Sequence, residues 1–138
     1  LYVFIEKIYT YLSNWIVDFF TNNSESIFKG NEDSIKSNFE LVVFYGPFIE
    51  TFVFQLIIIW IFYNISENYK TAIIISAISF SIFHSFNIYY IIAAFGDGLI
   101  LASFFSLIHK EYKNWFIALF CTFLLHAQHN LFAYYVNH

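Results

Sequence analysis

Charge is scarce in this sequence of 138 residues: Asp, Glu, Lys and Arg make up 12%, where a soluble domain carries about 25%. That deficit argues against a soluble globule. Six basic against ten acidic residues leave a formal net charge of −4. No basic run occurs, so nucleic acid is not expected as a partner. A single cysteine, Cys121, excludes an internal disulfide. Its neighbours are apolar, which reads as an inert thiol buried in a membrane. Methionine is absent and the chain opens on Leu1 inside an apolar run, which reads as a fragment of a longer protein. There is no basic n-region and no small-residue cleavage site, so no signal peptide is expected. The glycosylation triplets at Asn22 and Asn64 are close to chance in a chain this rich in Asn.

What is present is apolar. The sequence is 59% hydrophobic, with 20 Phe and 11 Tyr, and its mean hydropathy is +0.62. The expected fold is all-α: a polytopic membrane bundle of about four transmembrane helices with an amphipathic helix before them, residues 1–138 forming one membrane domain. Residues 1–20 carry a polar stripe (Glu6, Thr10, Ser13, Asn14, Asp18) opposite an apolar face, which reads as an interfacial amphipathic helix or, second, as a span whose polar stripe faces other helices. Residues 21–38 are the one long polar segment and read as an extramembrane loop. The core at 39–138 divides into spans at 39–63, 71–87, 88–109 and 114–136, with loops at 64–70 and 110–113 and a tight connection near residue 87. A span needs about 20 predominantly apolar residues. The third is expected to be interrupted at Gly96-Asp97-Gly98.

The first span carries Glu50 within Gly46-Pro47-Phe48-Ile49-Glu50-Thr51-Phe52-Val53-Phe54-Gln55. Placing an ionisable group there is unfavourable by roughly 2.5–3.5 kcal/mol on insertion scales, so such a residue marks function by default. Pro47 is expected to kink the helix or to occupy a first turn after Gly46, with irregular backbone just before Glu50 either way. Later spans supply partners: His84, in Phe80-Ser81-Ile82-Phe83-His84, and His126 with Asn130, in His126-Ala127-Gln128-His129-Asn130. Up-and-down threading brings Glu50, His84, Asp97, His126 and Asn130 to a similar depth, in the half of the bundle nearer residues 21–38, called side A. Lysines at 29 and 36 on side A and at 70, 110 and 113 on side B are too evenly shared to orient the chain.

This set suits activation of water, with Glu50 as general base and Asn130 and a histidine as donors to an oxyanion. The rival use is a metal site of His84, His126 and a carboxylate, with His129 as a third nitrogen ligand. Glu50 cannot easily be both ligand and free base. Asp97 reads as a helix break facing the cavity, and His129 as a helix-to-helix hydrogen-bonding residue.

At these positions the sequence resembles the CAAX-protease and bacteriocin-processing family of intramembrane proteases, which includes the type II CAAX prenyl endopeptidases. The family's motifs run Glu-Glu-x-x-x-Arg, Phe-x-x-x-His and His-x-x-x-Asn/Asp. Here they read Glu50-Thr51-x-x-x-Gln55, Phe80 to His84 and His126 to Asn130. The resemblance implies an endopeptidase acting on membrane-associated proteins or peptides, with Glu50 activating water. It makes His84 and His126 metal ligands, zinc being the usual metal, or hydrogen-bonding partners in a metal-free glutamate mechanism. Asn130 becomes the oxyanion donor, and Thr51, Gln55 and Phe80 support the site. A bacterial cell membrane is the implied location. Thr51 and Gln55 depart from the second glutamate and the arginine, and the two are expected to hydrogen-bond each other as a neutral replacement for an ion pair. A non-catalytic bacteriocin-immunity or binding protein, and a proton or ion conductor using Glu50, His84 and Asp97, are the competing functions.

Overall fold

The computed structural model describes residues 2, 3, 5, 7, 8, 39–84 and 88–136, and no strand occurs among them. Four helices carry the fold: α1 (Leu41–Ser66), α2 (Tyr69–Phe83), α3 (Ile88–Tyr112) and α4 (Trp115–Val136). Helices α1, α3 and α4 are long and apolar enough to cross a membrane, and α2 is a shorter apolar helix. Its 15 residues reach about 22 Å at 1.5 Å per residue, short of a hydrocarbon core about 30 Å thick. The chain is an all-α membrane bundle. The expected amphipathic stripe at 1–20 falls mostly outside the described residues. The polar loop at 21–38 and residues 85–87, the end expected for the second span, also fall outside them. Of the N-terminal residues described, Tyr2 packs against Phe104, ring centroids 5.1 Å apart, and the Lys7 ammonium lies 5.7 Å from the Phe132 ring centroid.

The helices run further than the polar signals suggested, because caps close them late. Helix α1 ends at Glu67, whose left-handed backbone (φ 53°) lets its N–H reach the Tyr63 carbonyl at 2.8 Å. Asn68 then caps α2 by accepting from the Lys70 N–H at 2.9 Å. The same device recurs between α3 and α4. Lys113 (φ 52°) donates to the His109 carbonyl at 2.8 Å, and Asn114 accepts from the N–H groups of Phe116 and Ile117. Both connections are two residues long, which forces the joined helices antiparallel.

Helix α3 is unbroken, contrary to the interruption expected at Gly96-Asp97-Gly98. In hydrocarbon a broken helix would leave backbone groups with no water to bond, so the glycines stay helical and serve packing instead. Ala94, Gly98 and Ala102 recur every four residues and are all buried, the small-residue spacing that lets membrane helices approach closely. A Cβ on Gly98 would stand 3.0 Å from Cα of Ala77 on α2. The core divides into two apolar clusters. Phe54, Phe80, Ala94, Leu101 and Leu125 form the one nearer side A. Ile59, Ala72, Ala102, Phe105, Ala118 and Leu119 form the one nearer side B. Phe48, Ile49, Phe52, Val53, Ile57 and Trp60 stay exposed along α1, the surface expected to face lipid.

Helix α1 is continuous but not regular. Over Leu41–Tyr45 and Thr51–Ile58 it widens to i→i+5 hydrogen bonding, with an α-helical segment, Gly46–Glu50, between. Such widening is rare and tends to occur at functional sites. Gly46 donates its N–H to the Leu41 carbonyl; a Cβ there would lie 3.0 Å from that same oxygen. The next donor in the series would serve Val42, but it belongs to Pro47, which has no N–H. Pro47 thus sits in the first turn of the Gly46–Glu50 segment; the irregular backbone lies one turn earlier, at Leu41–Tyr45, and the residues just before Glu50, expected to be irregular, are α-helical.

Candidate functional site

Glu50 ends the α-helical segment of α1 and Thr51 begins the widened stretch, and the two meet side chains of α4 and the end of α2. One carboxylate meets two imidazoles: Glu50 Oε1 lies 3.6 Å from His84 Nε2, and Glu50 Oε2 lies 3.5 Å from His126 Nε2. The Glu50 side chain is 21% exposed and His126 only 4%, so the carboxylate stands at the accessible lip and His126 is the buried wall.

Each imidazole is oriented from behind. His84 Nδ1 contacts the Phe80 carbonyl, four residues earlier, at 2.8 Å. A carbonyl only accepts, so Nδ1 carries the hydrogen, and Nε2 of a neutral ring turns a lone pair to Glu50. Two lone pairs facing each other repel. A proton held by the pair, or a water donating to both groups, makes the contact favourable. On the other side, His126 Nδ1 lies 3.1 Å from Thr51 Oγ1, and Thr51 is fully buried. The Phe80 ring packs against both histidines, at centroid distances of 4.3 Å to His84 and 5.9 Å to His126, and so fixes their separation.

Glu50, His84, His126, Thr51 and Phe80 are therefore one cluster. Asn130 joins it differently. Its side-chain Nδ2 donates to the Val42 carbonyl at 2.9 Å, the acceptor that Pro47 leaves without an in-helix donor, and one further N–H remains on that nitrogen. Gln55 is not paired with Thr51: its carboxamide is fully buried and has no hydrogen-bond partner among the described residues. The expected Thr51–Gln55 bond is replaced by the Thr51–His126 contact, because the face that carries Thr51 meets α4.

A second acid–imidazole pair lies beside the first. Asp97 Oδ2 is 4.0 Å from His129 Nε2, and the Tyr90 ring lies 6.1 Å from the His84 ring, centroid to centroid. Asp97 is thus a partner of His129 rather than a helix break. Tyr90 went unmarked in the sequence, where it is one of 11 Tyr. So did a further group at side B. There the Tyr69 hydroxyl bonds His109 Nδ1, and the His109 ring stacks on Trp115 with centroids 3.6 Å apart.

Among the described residues, no three His, Cys, Asp or Glu side chains are grouped as ligands for a metal ion. His84 and His126 offer two nitrogens, while His129, the third nitrogen expected, is turned to Asp97. A catalytic zinc takes three protein ligands; recruiting Glu50 as the third would remove the base. The set as arranged does not complete a zinc site that leaves Glu50 free. No family model, no curated protein and no solved structure matches the chain.

Proposed function

We propose that this chain is an intramembrane endopeptidase of the CAAX-protease and bacteriocin-processing type, which cleaves membrane-associated proteins or peptides in a bacterial cell membrane. The observation that carries this reading is the contact of both Glu50 oxygens with imidazoles from two other helices. On this reading a water at the lip gives a proton to Glu50 while its oxygen attacks the substrate carbonyl carbon. The carbonyl oxygen becomes an oxyanion that accepts hydrogen bonds from protonated His84 or from the remaining N–H of Asn130. The C–N bond then breaks, and the proton on Glu50 passes to the leaving nitrogen, which regenerates the carboxylate. Thr51 and Phe80 hold the histidines in place. No step is routed through a metal.

The test is hydrolysis of a library of membrane-anchored peptides, prenylated and unprenylated, by the protein in lipid. New N-termini that form with the wild type and not with Glu50→Gln support the reading, and their absence from both removes it. One observation favours a second reading, a proton conductor: the Asp97–His129 pair adds two titratable groups beside Glu50, His84 and His126. Proton flux into liposomes that Asp97→Asn abolishes, without any cleavage, is the outcome that selects it. A family member without catalysis, acting in immunity or binding, shows neither.

A further inference from the structure

Three polar side chains in the bundle centre have no hydrogen-bond partner among the described residues: Gln55, Thr122 and Ser106. They are 0%, 0% and 1% exposed. Buried polar groups are nearly always hydrogen-bonded, so three on neighbouring helices call for an explanation. Their placement supplies one. The Thr51–His126 contact fixes the register of α1 against α4. Because these helices run antiparallel, four residues onward from Thr51 and four residues back from His126 lead one turn deeper on each. Those positions are Gln55 and Thr122.

The core arrangement agrees independently. Gln55 lies between Phe54 of the side-A cluster and Ile59 of the side-B cluster, and Thr122 lies between Leu125 and Leu119 of the same two clusters. On α2, Ser76 falls between Ala72 and Phe80 in the same way; its hydroxyl donates to the Phe54 carbonyl, which lies in the widened stretch of α1, at 2.8 Å. Ser106 on α3 lies past Phe105 of the side-B cluster, about one turn beyond the level of Leu101 and Ala102 where the clusters meet. Helices α1, α2 and α4 thus each contribute a polar side chain, Gln55, Ser76 and Thr122, to the region where the two apolar clusters meet.

We propose that Gln55 and Thr122 hold internal water in the middle of the bundle, one helical turn beneath the Glu50–His126 contact. Gln55 presents both an N–H donor and a carbonyl acceptor, and the Thr122 hydroxyl is donor and acceptor at once. Water matches this mixed set and needs two to four such partners. The amide donors of Gln55 disfavour a cation, and the acceptor oxygens disfavour an anion. That this water supplies Glu50 rests on the hydrolytic reading; that it is bound here does not.

Proton-detected solid-state NMR of the protein in lipid bilayers, with magnetisation transferred from water, tests the site without any substrate. A failure to hydrolyse peptides and a failure to hold water are therefore read separately. The Gln55 side-chain amide protons are expected to take up water magnetisation several-fold faster than the backbone amide of fully buried Ile59. Uptake no faster than at Ile59 overturns the proposal. Thr122→Val is expected to lower both that uptake and the thermal midpoint. A raised midpoint shows that the hydroxyl was an unmet polar group rather than a partner of water, and also overturns it. Thr122→Ser gives a second, milder variant, which keeps the hydroxyl and is expected to keep the uptake. A saturable Gln55 shift on adding sodium chloride identifies an ion as the occupant and overturns the assignment to water.

Discussion

Asn130 donates to the Val42 carbonyl at 2.9 Å, in the place of the N–H that Pro47 lacks. Pro47 follows the widened turn at Leu41–Tyr45, and Asn130 closes the gap from another helix, so a site residue and a helix irregularity are one device. Asn130→Ala should therefore destabilise the protein by about 1 kcal/mol, the usual net worth of such a hydrogen bond, since the acceptor is only partly buried. Pro47→Ala restores the N–H and should recover part of that stability, which a double-mutant cycle on thermal unfolding measures. Additive effects would detach Asn130 from Pro47. If the stabilised double variant is still slow in cleavage, the remaining deficit belongs to the oxyanion.

Glu50→Gln keeps the shape of the side chain and removes its ability to take a proton. General-base catalysis contributes typically 10²–10⁴-fold, and a drop of about that size in kcat is expected with the thermal midpoint little changed. Cleavage at the parent rate would exclude Glu50 as the base.

Thr51 touches His126 and not Gln55. Thr51→Val should leave a buried imidazole nitrogen unmet and weaken stability by about 1–3 kcal/mol, whereas Thr51→Ser should retain the hydrogen bond and the activity. Mutant cycles should find coupling between Thr51 and His126 and none between Thr51 and Gln55. The reverse pattern would restore the pair read from the sequence.

The convergence of Glu50, His84 and His126 was legible because polar residues are rare in such spans and helical threading brings their depths together. Three features were not legible. Local spacing puts Thr51 and Gln55 on one face but does not show which helix that face meets; it meets α4, so Thr51 bonds His126 across the interface rather than Gln55 along its own helix. Glycines flanking Asp97 look like a break, yet hydrocarbon penalises broken backbone more than it does helical glycine, and Gly98 is set by the approach of Ala77. The cap at Asn68 lies inside what looks like a polar loop at 64–70, and only its hydrogen bond shows where α2 begins.

Metal content follows from the ligand count. With His129 held towards Asp97, the Glu50 cluster provides two imidazole nitrogens. Protein purified without chelator is expected to carry zinc well below stoichiometry by elemental analysis, and chelation should leave cleavage unchanged. Zinc near one per chain that disappears in both His84→Ala and His126→Ala would make the site a metal centre, with Glu50 among its ligands.

The Gly98–Ala77 approach sets the distance between the helices that carry Asp97 and His84. A methyl at position 98 would meet the α2 backbone, its Cβ 3.0 Å from Ala77 Cα and 3.3 Å from the Ala77 carbonyl oxygen. Backbone cannot swing aside as a flexible side chain can, so α2 and α3 must move apart. Overpacking of this kind typically destabilises by about 1–3 kcal/mol, partly offset by the better helix propensity of Ala, worth up to about 1 kcal/mol. Gly98→Ala should therefore lower the thermal midpoint even though it improves the helix. Because α2 also carries His84, the shift should lengthen its 3.6 Å approach to Glu50, while the His126 side, held by α1 and α4, is unaffected. The expected signature is reduced cleavage with an unchanged NMR signal for the Thr51–His126 hydrogen bond. Gly96→Ala, two residues away on the same helix and only half-buried where Gly98 is buried, serves as the control and should be as stable as the parent or more so. Equal effects from the two substitutions would show that glycine is needed for helix flexibility rather than for the approach of α2.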